Sequence, residues 1–208
     1  DIYEKMVLPI YKIYQQKLID LNACDFGDLI LHVVKVFEKN NEIRNLYAKN
    51  FKYILVDEYQ DTNLIQSRWL NLLAEKNKNI CCVGDDDQSI YSWRGAEIKN
   101  FLEFDKIYDN TKIIRLEQNY RSTQNILSVA SNLISNNQNR LGKTLKTTME
   151  DGELIKLNCF KNGKEEATGL SDEIEKIKQE YSYNKIAILV RAIFQTREFE
   201  ERFLKIGI

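Results

Sequence analysis

The sequence predicts an α/β fold built on a mostly parallel sheet, and three observations predict it. Short apolar runs of strand length recur at residues 51–56, 79–83 and 112–116. Segments with apolar residues at helical spacing separate them. Each run ends directly in a polar cluster: Asp57-Glu58, Gly84-Asp85 and Glu117-Gln118-Asn119. Strands alternating with helices imply a parallel sheet covered on both faces, with ligands bound beyond the carboxyl ends of its strands.

The first fifty residues read as helices. Ile2, Met6, Ile10 and Ile13 fall near helical spacing, and Pro9 marks a break or a new start. A second helix is expected over 26–39 and a short third over 41–49. After the 51–56 strand, Leu64, Trp69, Leu70 and Leu73 mark a helix. After the 79–83 strand, Ile98, Phe101 and Leu102 mark another. Beyond the 112–116 run come strand-like 153–160, a helix near 165–181, strand-like 186–190 and a helix from about 195.

Composition narrows the class. Of 208 residues, 43% are hydrophobic and 29% charged, which suits a globular chain and excludes a disordered or fibrous one. Thirty Lys+Arg against thirty-one Asp+Glu leave a net charge of −1, so nucleic acid cannot be held through bulk positive charge. Any such binding needs a local site. The apolar runs are too short for a transmembrane helix and no secretory signal opens the chain, so no membrane partner and a cytoplasmic address are expected. The four cysteines form no CxxC pair and are expected to be buried free thiols. His32, the only histidine, excludes a multi-His metal site within the chain. One Pro and eight Gly leave no linker or repeat. The opening at Asp1 and the stop at Gly207-Ile208 read as a piece of something longer.

Three constellations carry chemistry. In Ile54-Leu55-Val56-Asp57-Glu58-Tyr59-Gln60-Asp61-Thr62, an apolar strand delivers two carboxylates to its end. One can hold Mg²⁺ and the next can deprotonate an attacking water, as phosphoryl transfer requires; a solvated turn is the plainer alternative. The second, Gly84 to Ala96, holds three consecutive aspartates without calcium-loop spacing, then Gln88, Tyr91, Trp93 and Arg94. Exposed aromatics beside an Arg suit single-stranded nucleic acid, because every base offers a π-face; the alternative places Trp93 in a core. The third is Leu116-Glu117-Gln118-Asn119-Tyr120-Arg121-Ser122. There Tyr120 can stack on a purine and Arg121 can neutralise a transferring phosphate, or the pair is a helix cap with a surface Arg.

DEYQDT, GDxxQSIYxWRGA and LxxNYRS, in this order and at this spacing, resemble the UvrD/Rep/PcrA family of superfamily 1 DNA helicases. Asp25-Phe26-Gly27-Asp28-Leu29-Ile30 resembles its DFDDL segment, and residues 191–201 resemble its RxNxQSRxxEE segment. The resemblance implies ATP-driven 3′-to-5′ translocation on single-stranded DNA and unwinding of duplex DNA, with ATP and Mg²⁺ between two RecA-like domains. It further implies Asp57 as Mg²⁺ ligand, Glu58 as catalytic base and Gln88 as γ-phosphate sensor. Tyr91, Trp93 and Arg94 would touch the single strand. Tyr120 would stack on adenine, and Arg121 would reach the γ-phosphate across the cleft.

The departures are as informative. The phosphate-cradling GxxxxGK[ST] loop is absent. Gly142-Lys143-Thr144 mimics its end, but Asn137 occupies the place of its first Gly and no strand precedes it. The family's other adenine-reading and arginine-finger motifs are also missing. Ile193 stands where a DNA-contacting Asn is frequent, and Gly27 replaces an Asp. The implied division is the end of a helical insert over 1–48, the rest of the first motor domain over 49–112, and the start of the second over 113–208. Missing N- and C-terminal parts of the same helicase would complete it. Two alternatives are a non-catalytic DNA- or partner-binding product of a split helicase gene, and the motor of a RecB/AddA-type helicase-nuclease.

Overall fold

A computed structural model describes residues 2–138 and 140–208. They form two compact units, divided between Gly152 and Glu153.

In the first unit a π-helical turn (Tyr3–Val7) leads into α1 (Leu8–Asp20). Pro9 lies where the π-helical turn passes into α1, and Val7 and Leu8 before it keep right-handed helical backbone, so it neither breaks the helix nor begins a separate one. The spans α2 (Phe26–Lys39) and α3 (Asn41–Asn50) agree with the sequence reading to within one residue. Asp25 explains the sharp start of α2. Its Oδ1 accepts from the Asp28 N–H at 2.8 Å, while Asp28 Oδ2 accepts from the Asp25 N–H at 3.3 Å. The DFGDL segment is therefore a helix cap here, with Asp28 buried and hydrogen-bonded by Gln15 Nε2.

β1 (Ile54–Val56) and β2 (Ile80–Cys82) pair in parallel, Ile54 opposite Ile80 and Val56 opposite Cys82. The crossover between them is α4 (Leu64–Ala74), started by a reciprocal Asn63–Gln66 cap. Val34 and Phe37 of α2 pack on Leu72 and Leu73 of α4, and Ile54 and Trp69 close that core. α5 (Lys99–Leu102) and α6 (Phe104–Ile107) follow, and the ring of buried Tyr59 meets Phe104 edge-on at 5.6 Å. A second parallel pair joins β3 (Gln118–Asn119) to β4 (Lys146–Thr147), with α7 (Gln124–Ile134) between them. In the second unit α8 (Gly163–Ile177) packs on α9 (Thr196–Ile206), tied by Arg202 Nε to the buried Ser171 Oγ at 2.9 Å.

The mixed helix-and-strand fold with small parallel sheets matches the expectation, but the sheets are smaller than the apolar runs implied. Residues 112–116, 153–160 and 186–190 form no strand. An apolar run becomes a strand only when a neighbouring chain segment takes its backbone N–H and C=O groups, and among the described residues no strand pairs with these runs. Nor is the first sheet covered on both faces: Leu55 is 81% exposed and Cys81 beside it is exposed. That corrects the expectation of buried thiols. Cys24, Cys81 and Cys159 are exposed, and only Cys82 is half-buried, where burial pushes its thiol up to about 12. His32 lies exposed on α2. Among the described residues, no helix is long and apolar enough to cross a membrane.

Candidate nucleotide and nucleic-acid site

The site grows from the carboxyl end of the β1–β2 pair. Parallel pairing brings the two chains out of the sheet side by side, and the ladder continues past it. Val83 N–H donates to Val56 C=O at 2.8 Å, and Tyr59 N–H donates to Val83 C=O at 3.0 Å. Asp57-Glu58 and Gly84 to Gln88 thereby share one end of the sheet. Glu58 takes a left-handed backbone (φ +49°), an unfavourable conformation for a residue with a Cβ, which neighbouring contacts must hold. Its N–H donates to Asp57 Oδ1 at 2.9 Å. Both carboxylates are exposed.

Gln60, 1% exposed, is the link between the two loops. Its Nε2 donates to Glu58 Oε2 at 2.7 Å, and its Oε1 accepts from the Asp85 N–H at 3.0 Å. Gly84 makes room for it. A Cβ on residue 84 would lie 2.5 Å from Oε1 of the buried Gln60 and 2.8 Å from Cε2 of the half-buried Phe101. Gly84→Ala is therefore expected to lower stability by about 1–3 kcal/mol, the range for overpacking. Thermal melting checks this, and an unchanged melting temperature would mean that Gln60 has somewhere else to go.

Asp85 collects the rest of its loop. Oδ1 accepts from the Asp87 N–H at 3.0 Å and pairs with Lys143, and Oδ2 accepts from Gln88 Nε2 at 2.8 Å. Burial alone would raise this carboxyl, but the bonds from Lys143 and Gln88 outweigh it and hold Asp85 below the ordinary carboxylate range. Oxygens of Asp85, Asp86 and Asp87 lie within 4.8 Å of one another, a spacing a cation could bridge. The side chains of Arg140 and Lys143 supply positive charge to that cluster. Lys143 is thus committed to Asp85 and heads no helix, so Gly142-Lys143-Thr144 has no phosphate-loop geometry.

The aromatic turn follows. Ser92–Arg94 form a 3₁₀ turn closed by Gly95 in a left-handed conformation (φ +86°). Trp93 is 76% exposed and so is no core residue. The Tyr91 and Trp93 rings lie 6.3 Å apart, and the Arg94 guanidinium sits 5.6 Å and 5.3 Å from their centres. Glu97 N–H donates to Thr62 C=O at 3.0 Å, and Ala96 bridges to Asn63, which staples this turn to the end of the Asp57–Thr62 segment.

Tyr120 and Arg121 lie between β3 and α7. Asn119 Oδ1 accepts from the N–H groups of Arg121 and Ser122 at 2.9 and 2.8 Å, which shapes the turn and leaves both side chains exposed. Among the described residues no hydrogen bond or ring contact joins either to Asp57, Glu58 or Gln88. The structure thus joins the first two constellations by direct contacts and gives Tyr120 and Arg121 none to them. The linking role of Gln60 and the hold of Arg140 and Lys143 on the aspartates escape sequence reasoning. The only signal for the last two is a pair of cations spaced three apart, opposite in sign to an aspartate triplet.

Comparison with known proteins identifies the family. The UvrD/REP helicase N-terminal domain matches residues 1–109, and the UvrD-like helicase C-terminal domain matches 114–208. A probable DNA helicase II homolog of Rickettsia conorii is 55% identical over 197 residues, covering 94% of this chain and 30% of that protein. The ATP-dependent DNA helicase PcrA of Bacillus subtilis is 44% identical over 211 residues, covering 99% of this chain and 28% of that protein. The chain therefore spans under a third of the length of these relatives. With both domain families matched in order across nearly all its residues, the chain belongs to the UvrD/Rep/PcrA helicase family.

Proposed function

We propose that this chain is part of an ATP-dependent DNA helicase that moves 3′-to-5′ along single-stranded DNA and unwinds duplex, in repair or replication. The observation that carries the reading is the shared sheet end, where the Asp57-Glu58 pair, the Gln88 loop and the stapled Tyr91–Trp93–Arg94 turn meet. Nucleotide chemistry and a base-stacking surface on one rigid piece are what coupling ATP to DNA movement needs.

The residues present fit half of a Mg²⁺–ATP site. Asp57 and Glu58 are exposed, and Asp57 Oδ2 takes no hydrogen bond among the described residues, so it is free for a hydrated ion. Asp57 would hold the metal, which when bound neutralises charge on the phosphates. Glu58, steadied by Gln60, would accept the proton of the attacking water. Gln88 would sense the γ-phosphate, Tyr120 would stack on adenine and Arg121 would meet transition-state charge. Tyr91, Trp93 and Arg94 would grip the single strand through stacking and cation–π contact. We read residues 1–48 as the end of a helical insert, 49–112 as the rest of a first RecA-like domain and 113–208 as the start of a second. The end of one family match at 109 and the start of the next at 114 support that boundary.

No Gly-rich phosphate cradle occurs in these 208 residues. The purified chain alone is therefore expected to hydrolyse no ATP, because positioning of the β- and γ-phosphates is lost. The test is a steady-state ATPase assay with and without single-stranded DNA, run on this chain and on the full-length protein that carries it. DNA-stimulated turnover by the chain alone, abolished by Glu58→Gln, would refute the division of labour. A full-length protein that binds single strands without turnover would favour the non-catalytic binding product.

A further inference from the structure

The three aspartates that follow β2 are met one for one by a segment that begins 53 residues further along the chain. Arg140 grips Asp87 with two parallel bonds, Nε to Oδ1 and Nη2 to Oδ2, both 2.6 Å. The Leu141 N–H donates to Asp86 Oδ2 at 2.8 Å. Lys143 pairs with Asp85. Gly142 stands between them in a left-handed conformation (φ +70°), which a residue without a Cβ adopts freely.

These are not loose surface pairs. The four charged side chains are 15–22% exposed, so solvent screens them little and removing one leaves a half-buried charge without its partner. A two-pronged guanidinium–carboxylate bond also fixes orientation as well as distance. The contacts continue inward. Asp85, held by Lys143, accepts from Gln88, and its own N–H is bound by Gln60, whose other end holds Glu58. An unbroken set of polar contacts therefore runs from residues 140–143 to the two groups assigned to water activation and γ-phosphate sensing.

We infer that Arg140 and Lys143 are positioning residues for ATP hydrolysis, clamping the Asp85–Asp87 loop so that Gln88 and Glu58 keep their working geometry. This rests on the roles proposed above for Glu58 and Gln88. Neither cation needs to touch nucleotide; each acts through the loop. Because residues 140–143 fall within the second family match and the loop within the first, the clamp also ties the two matched segments together.

The test uses the full-length protein with saturating single-stranded DNA. Arg140→Glu, which sets two like charges against each other, is expected to lower kcat by about 10- to 100-fold, the cost of misplacing a catalytic group by roughly an ångström. The KM for ATP should hold. The charge-swapped double variant Arg140→Glu/Asp87→Arg is expected to recover most of the lost kcat, which a merely structural contact elsewhere would not explain. Unchanged kcat in Arg140→Glu, or no recovery in the swap, overturns the inference. If Arg140→Glu does not fold, Arg140→Gln is measured instead, with a smaller fall in kcat expected and an unchanged kcat counting against the clamp. Glu58→Gln is assayed in parallel. Turnover that survives there overturns the assignment of Glu58, and this inference with it. Turnover lost in Glu58→Gln but intact in Arg140→Glu sinks the clamp alone.

Discussion

Glu58→Gln in the full-length protein is expected to slow ATP hydrolysis about 10²-fold or more, the usual weight of a positioned general base. The substitution suits the question because it changes little else. The Gln60 Nε2 that donates to Glu58 Oε2 at 2.7 Å would find an amide oxygen in the same place, so the loop keeps its shape while the base is lost. Nucleotide and Mg²⁺ binding should persist. Asp57→Asn should do the reverse, weakening metal affinity first, because it removes the charge that faces the ion. Nucleotide titrations and single-turnover rates separate the two variants. Loss of nucleotide affinity with unchanged turnover in Glu58→Gln would exchange the two roles.

Trp93→Ala is expected to weaken single-strand binding by ~1–3 kcal/mol, the range for stacking of one base on an aromatic ring. The ring is 76% exposed, so truncation should open no cavity and the melting temperature should stay where it was. Deleting a buried Trp would instead cost about 3–5 kcal/mol of stability. Affinity for single strands of varied sequence and a melting curve decide the matter together. A large fall in melting temperature with intact DNA affinity would remove Trp93 from the DNA surface.

The sequence made some of this legible because some of it is local. α2 could be placed because its cap, its apolar spacing and the Asn that follows are all written within sixteen residues, from Asp25 to Asn40. β1 and β2 could be found because each apolar run stops at a polar cluster, although the paired strands are only three residues long. The runs at 112–116, 153–160 and 186–190 carry the same apolar signal and form no strand. Apolarity registers a demand for burial, whereas a strand needs a partner backbone, and no property of a single run supplies one. Burial of Gln60 was equally hidden. A glutamine within a polar motif reads as exposed until Gly84 and Asp85, distant along the chain, come to its side. The partner of Lys143 was hidden in the same way, although its phosphate-loop likeness was correctly set aside. That partner lies 58 positions earlier, beyond the reach of any periodic pattern.

The space beside Gly84 has a genetic consequence. Every single-base change that alters a glycine codon introduces either a stop or a residue with a Cβ. All the replacements therefore meet the obstruction formed by Gln60 Oε1 and the Phe101 ring, whatever their charge or polarity. Replacement at codon 84 should therefore always cost stability, least for alanine and more as the side chain grows, whatever its polarity. Compensating changes have a natural address at the two side chains that fill the space, Gln60 and Phe101. Of these, only Phe101 can shrink without loosening the bond that holds Glu58.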